Sequence, residues 1–147
     1  MRPALPLLLA AALLLTGCHD YHHDHWHDDD ADVAFAIPPA TNPASPTAGV
    51  SFALEFSVEN NGPDFADYYL ARVYRNGSTL IATATITDHF VGQVLPISIP
   101  ITEGSSGSVS YTVVLDAGID LDDPDRSNNT GVAATTVALT APLLSDG

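Results

Sequence analysis

Between Val50 and Val58 every second residue is a large apolar one: Val50, Phe52, Leu54, Phe56 and Val58. Ser51, Glu55, Ser57 and Glu59 fill or follow the gaps. A period of two puts the two sets on opposite faces of an extended chain, so the stretch reads as a strand with one buried and one wet face. Glu55 and Glu59 are then expected to face water. Asn60-Asn61-Gly62-Pro63 follows, and its residue types are those that turn a chain. This pattern demands a second apolar surface to cover it, and no stretch of the chain reads as a long helix.

The same pattern recurs along residues 33–140. Val33, Phe35 and Ile37 alternate ahead of Pro38-Pro39. Ala66 to Tyr74 sets Tyr69, Ala71 and Val73 on one face and Tyr68, Leu70, Arg72 and Tyr74 on the other. Core and sheet packing explains these tyrosines better than a binding patch does. Asn76-Gly77 then signals a hairpin into the β-branched run Thr79 to Thr87. Phe90 to Ile101 is apolar but contains Pro96 and Pro100, and proline lacks the amide that a ladder needs. That segment is expected at a sheet edge, or switching between sheets. Val109, Tyr111, Val113 and Leu115 alternate again, an acidic loop runs from Asp116 to Asn129, and Thr130 to Leu139 is the last strand. About seven strands joined by short turns predict an all-β fold, an immunoglobulin-like β-sandwich. Its size allows it to bury about two-thirds of its unfolded surface. With one cysteine in 147 residues, no internal disulfide can contribute.

The first residues read as an address. Met1-Arg2-Pro3 carries one positive charge, and Leu7 to Leu15 is an unbroken apolar run. A bilayer span needs about 20 such residues, so the run suits a secretory leader instead. Leu15-Thr16-Gly17-Cys18 resembles the lipobox of bacterial lipoproteins. That resemblance implies cleavage after residue 17, lipidation of Cys18 and attachment to a lipid bilayer. Because His19, and not Asp, follows the cysteine, the outer membrane or cell surface is the expected address. Each buried methylene contributes about 0.8 kcal/mol, and more than one acyl chain makes the anchoring stable.

Residues 18–32 form a low-complexity tether without hydrophobic period, expected to be disordered. It holds His19, His22, His23, His25 and His27, with Asp24 and Asp28 among its acids. A polar spacer is the plain reading. Imidazole and carboxylate groups at this density could also gather zinc, copper or nickel, which would make the protein a metal-buffering or metal-sensing lipoprotein. Histidine titrates near pH 6.5, so a pH-responsive tether is a third reading.

Charge narrows the partners. Four arginines, no lysine and 18 acidic residues give a formal net charge of −14. Nucleic acid is excluded, since phosphate binding needs clustered Lys and Arg. Within the acidic loop, Asp116, Asp120, Asp122, Asp123, Asp125, Asn128 and Asn129 are oxygen donors that could take calcium, with Asp120, Asp122, Asp123 and Asp125 as the nearest set. Local turn chemistry explains them more simply. His89, beside Asp88, is expected at a surface turn. No required cofactor and no catalytic constellation is visible: residues 33–140 contain no Lys and no Cys, and Gly-x-Ser-x-Gly is absent.

Val58-Glu59-Asn60-Asn61-Gly62, the small Ala66, the Gly77 hairpin, Val113-Val114-Leu115-Asp116 and Ser127-Asn128-Asn129 occur in an order that resembles CARDB, the cell-adhesion-related domain found in bacteria. The similarity covers about residues 32–138. It departs in the acidic stretch, where Asp122-Asp123-Pro124-Asp125 replaces a Glu-rich segment. The resemblance implies an Ig-like fold outside the cytoplasm, a protein or envelope-polymer partner, an adhesion or interaction role, and no catalytic residue. Residues 141–147 are read as a C-terminal tail.

Overall fold

The computed structural model describes residues 30–140. The leader, Cys18, the histidines of the tail and the last seven residues lie outside this range. Seven strands follow one another: β1 (Val33–Asn42), β2 (Ser51–Asn60), β3 (Ala66–Arg75), β4 (Thr79–His89), β5 (Val94–Thr102), β6 (Gly107–Val114) and β7 (Thr130–Val137). A single turn of 3-10 helix, Arg126–Asn128, precedes β7. All strand pairings within the two sheets are antiparallel. One sheet has the order β1-β2-β5 and the other β4-β3-β6-β7. Face-to-face packing of the two makes the expected sandwich, with the Asn76-Gly77 hairpin where the sequence signals it.

Phe52, Leu54, Phe56 and Val58 of β2 point inward and meet Tyr69, Ala71 and Val73 of β3 and Val109, Tyr111 and Val113 of β6. Glu55 is exposed on the opposite face of β2, and Glu59 is half-buried. Leu95, Ile97, Ile99 and Ile101 of β5 complete the smaller sheet's inner face. Full burial of side chains of this size contributes about 1.5–3 kcal/mol each, which is the main term holding the sheets together. The core begins before β1: Ala31 is fully buried, and the amide of Asn61 donates to the Asp32 carbonyl at 2.7 Å.

Two sequence expectations change. The alternation of Val33, Phe35 and Ile37 does not hold, because β1 shifts register twice, between Phe35 and Ile37 and between Ile37 and Ala40. The first extra residue, Ala36, falls between Phe35 and Ile37 and leaves Ile37 exposed while Val33 is buried; the second falls within Pro38-Pro39. Val50 lies ahead of β2 and is exposed, so the alternating set effectively starts at Phe52. Phe90 to Ile101 divides into a turn and β5, and β5 is an edge strand, as its two prolines require.

Candidate functional site: an apolar tip framed by Asn60

Three connections crowd the pole at which β1 begins: Asn61–Phe65 between β2 and β3, Phe90–Gln93 between β4 and β5, and the acidic loop between β6 and β7. Asn60, fully buried, ties the first two together. Its Nδ2 donates to the carbonyls of Asp64 (2.8 Å) and His89 (3.1 Å). Its Oδ1 accepts from the Gly62 amide at 3.1 Å, and its own carbonyl accepts from Gly92 at 2.8 Å. An amide side chain is needed here because the same group must donate and accept. Gly62 is demanded by close approach: a Cβ on it would lie 1.9 Å from the Asp30 carbonyl oxygen and 2.5 Å from the Asp32 nitrogen.

His89 is a correction to its expected surface position. It is fully buried, with Nε2 2.8 Å from the Gln93 carbonyl and Nδ1 2.8 Å from the Tyr69 hydroxyl. A carbonyl can only accept, so Nε2 carries the proton and Nδ1 accepts from Tyr69. Burial pushes the His89 pKa below its ordinary value, against the smaller upward pull of the Gln93 carbonyl. Burial likewise raises the Tyr69 hydroxyl, with the Asp116 carboxylate adding to the shift. The pair is therefore a neutral structural brace. Phe90 and Gln93 close the turn reciprocally: Phe90 N donates to Gln93 Oε1 and Gln93 N to the Phe90 carbonyl, both at 3.0 Å.

This frame holds an apolar tip in solvent. The rings of Phe65 and Phe90 stack with centroids 5.7 Å apart and planes 28° off parallel. They remain 38% and 58% exposed, and Val91 beside them is 52% exposed. Exposed carboxylates flank them in sequence at Asp64, Asp67 and Asp88. Arg126, the cation of the neighbouring acidic loop, is paired with Asp116. The arrangement suits an uncharged or cationic partner surface. Sequence reasoning missed this tip because Phe65 and Phe90 lie in different turns; the β3–β4 register, which sets Ala66 opposite His89, places them side by side, and the Asn60 contacts fix the two turns.

The acidic loop uses its carboxylates on its own chain. Asp116, buried, accepts from the amides of Asp120 (2.8 Å) and Leu121 (3.3 Å) and from Arg126. Asp123 accepts from Val33 N (3.2 Å), Asn129 Nδ2 (2.9 Å) and Asp125 N (2.9 Å), fastening the loop to the start of β1. Asp125 caps the 3-10 turn through Ser127. Asp120 and Asp122 are exposed. Among the described residues no three His, Cys, Asp or Glu side chains gather where they could hold a metal ion, so the structure does not bring Asp120, Asp122, Asp123 and Asp125 together. Tail residues His19, His22, His23, His25, His27, Asp24 and Asp28 fall outside the described range. Of the tyrosines, Tyr69 is in the core, Tyr74 is half-buried and Tyr68 is exposed.

The CARDB family model matches residues 34–133, which is most of the sandwich. The chain belongs to the CARDB family. A CARDB domain from Pyrococcus furiosus, crystallised in complex with di-metal ions, has the same fold at a TM-score of 0.60 and 20% identity, covering 76% of this chain and 90% of that one. A domain of a protein assigned by name to the cell surface of Methanosarcina acetivorans superposes at 0.61 with 19% identity, covering 74% and 92%. A β-glucosidase from Erythrobacter marinus matches over 75% of this chain but only 16% of its own, at 0.57 and 12% identity. At these identities the likeness is one of fold. No curated protein matches the chain. The CARDB motif residues singled out in the sequence now have physical roles: Asn60 and Gly62 build the tip's frame, and Asp116 and Asn129 build the acidic loop.

Proposed function

We propose that this CARDB protein is a lipid-anchored module of the cell envelope that holds a protein or envelope-polymer partner by non-covalent contact, with no catalytic role. The observation that carries the reading is the stacked Phe65–Phe90 pair, exposed to water yet fixed by a buried hydrogen-bond frame. A rigid aromatic anchor loses little entropy when it is covered, which is what an interaction site requires. The lipobox-like segment ending at Cys18 supports the anchor. The chain enters the sandwich at the same pole as the tip, since Val33 pairs with Asn60. In this reading the partner meets the module on its membrane-facing side, within reach of the 18–32 tether. The cell-surface relative from Methanosarcina is consistent with this address.

Photo-crosslinking in intact cells tests the reading. A photoreactive phenylalanine at position 90 is expected to give a discrete adduct that disappears with Phe65→Ser, whereas the same group at Thr136, on the far half of β7, gives none. Absence of any adduct at positions 65, 90 and 91 overturns it. The tether's histidines offer a second activity, metal buffering. Zinc, copper or nickel binding that is lost on deletion of residues 19–32 assigns it to the tail, and binding that survives the deletion removes the tail from that role.

A further inference from the structure

A two-sheet sandwich has four edge strands, and each exposes a row of amide and carbonyl groups that can pair with another chain. Three of the four are guarded. In β5, Pro96 and Pro100 stand opposite Ser57 and Ala53 of β2, so their missing amides belong to the free edge. In β1, Pro38 and Pro39 sit in the irregular stretch between Ile37 and Ala40. Pro39 also packs against β7, where a Cβ on Gly131 would lie 2.6 Å from its Cδ. The outer side of β7 is covered by the chain after β1: Thr135 Oγ1 donates to the Ala44 carbonyl at 2.6 Å, the Ala138 amide to the Pro46 carbonyl, and Thr47 bridges Ala138.

The fourth edge, β4, has no such guard. Its run Thr79-Leu80-Ile81-Ala82-Thr83-Ala84-Thr85-Ile86-Thr87 contains no proline, no glycine and no charge. Among the described residues, Leu80–Thr87 makes backbone hydrogen bonds only to β3. Leu80 and Ile81 are 51% and 38% exposed. The pairing with β3 is regular from Ala82 to His89, the only shift falling at Ile81, so the open edge is straight over its central part.

We propose that β4 is a self-association edge, pairing antiparallel with β4 of a second copy to join the two four-stranded sheets. A two-fold axis near Ala84 and Thr85 sets threonine against threonine on the outer face and alanine against alanine or isoleucine on the inner one. Such pairs are favourable across antiparallel strands. The absence of charge selects this occupant. The molecule carries −14 overall, and a second copy is tolerated along the stretch where no carboxylate opposes another. A basic peptide would find no counter-charge between Thr79 and Thr87. Strand-to-strand contact alone buries less than a standard interface, so the dimer is weak, on the order of 100 μM.

Sedimentation of the full chain, with Cys18→Ser to remove the influence of acyl groups, tests the proposal. The expected result is a reversible monomer–dimer equilibrium, with β4 amides, and not those of β5, gaining hydrogen-exchange protection as concentration rises. Thr83→Glu/Thr85→Glu puts like charges across the axis and weakens dimerisation at least about tenfold. The carboxylate introduced at position 83 stands beside Arg72 of β3, so the sandwich itself is supported. Thr83→Lys/Thr85→Lys is also monomeric, and an equimolar mixture of the two variants recovers a heterodimer. A wild-type chain that stays monomeric to about 1 mM overturns the proposal. So does a dimer indifferent to the Glu variant, or a mixture that does not associate.

Discussion

Asn60 shows how much of this structure rests on single side chains with two kinds of polar group. Asn60→Ala removes one acceptor and two donor bonds at a fully buried position. The expected loss is about 1–3 kcal/mol of stability, read from the denaturant midpoint. Asn60→Asp is expected to be worse, because a carboxylate keeps the bond from Gly62 but faces the Asp64 and His89 carbonyls with no proton to give. His89 supplies the pH dependence. Its folded pKa is lowered, so above the unfolded value of about 6.5 both states are neutral and the brace contributes fully. As the pH falls through 6.5 the unfolded chain binds the proton first, and stability declines until the lower folded value is reached. Unfolding midpoints between pH 7.5 and 5.5 should therefore fall, and His89→Gln should flatten the slope. Glu103 acts lower on the scale. Burial raises its pKa, but donors from Arg75 (2.9 Å) and Tyr111 (2.8 Å) outweigh this and leave it below the usual carboxylate value. Its stabilisation is lost only at more acid pH, as Glu103 itself becomes protonated.

Strands meet their neighbours according to side-chain size as much as to backbone pairing. β1 and β7 belong to different sheets, and the sandwich closes where Pro39 and Phe35 lie over Gly131. Gly131→Val should force these elements apart and cost about 1–3 kcal/mol, seen as a lower midpoint of thermal unfolding with the all-β circular dichroism signature retained. The strands with unbroken alternation, β2, β5 and β6, sit in the sandwich as their periodicity demands. β1 does not, since an extra residue at Ala36 turns Ile37 to solvent and a second irregularity follows at Pro38-Pro39. Alternation reports which side of a strand is apolar, but it cannot see a register shift that exchanges the sides partway along.

For the whole molecule, the sandwich supplies a stable body, and in the proposed reading the segment ending at Cys18 attaches it to the membrane. Cys18→Ser is expected to move the protein from the membrane fraction to the soluble fraction of the envelope with its fold unchanged. Retention in the membrane fraction would count against lipid anchoring. The all-strand class, the two-sheet architecture, the Asn76-Gly77 hairpin and the proline-marked edge were legible along the chain, because each depends on local periodicity or on a missing amide. The candidate site was not. Phe65 and Phe90 flank the far end of the β3–β4 hairpin, but their stacking depends on how the two turns leave the sheet; His89 looks like any polar residue in a turn, and the acidic loop's carboxylates give no sign in sequence of the backbone amides they bind. Local chemistry determines that a strand or turn forms and which side of it is apolar. Which turns share a pole, and whether a polar side chain there meets water or another loop, depends on contacts between residues distant in sequence, and folding alone creates those contacts.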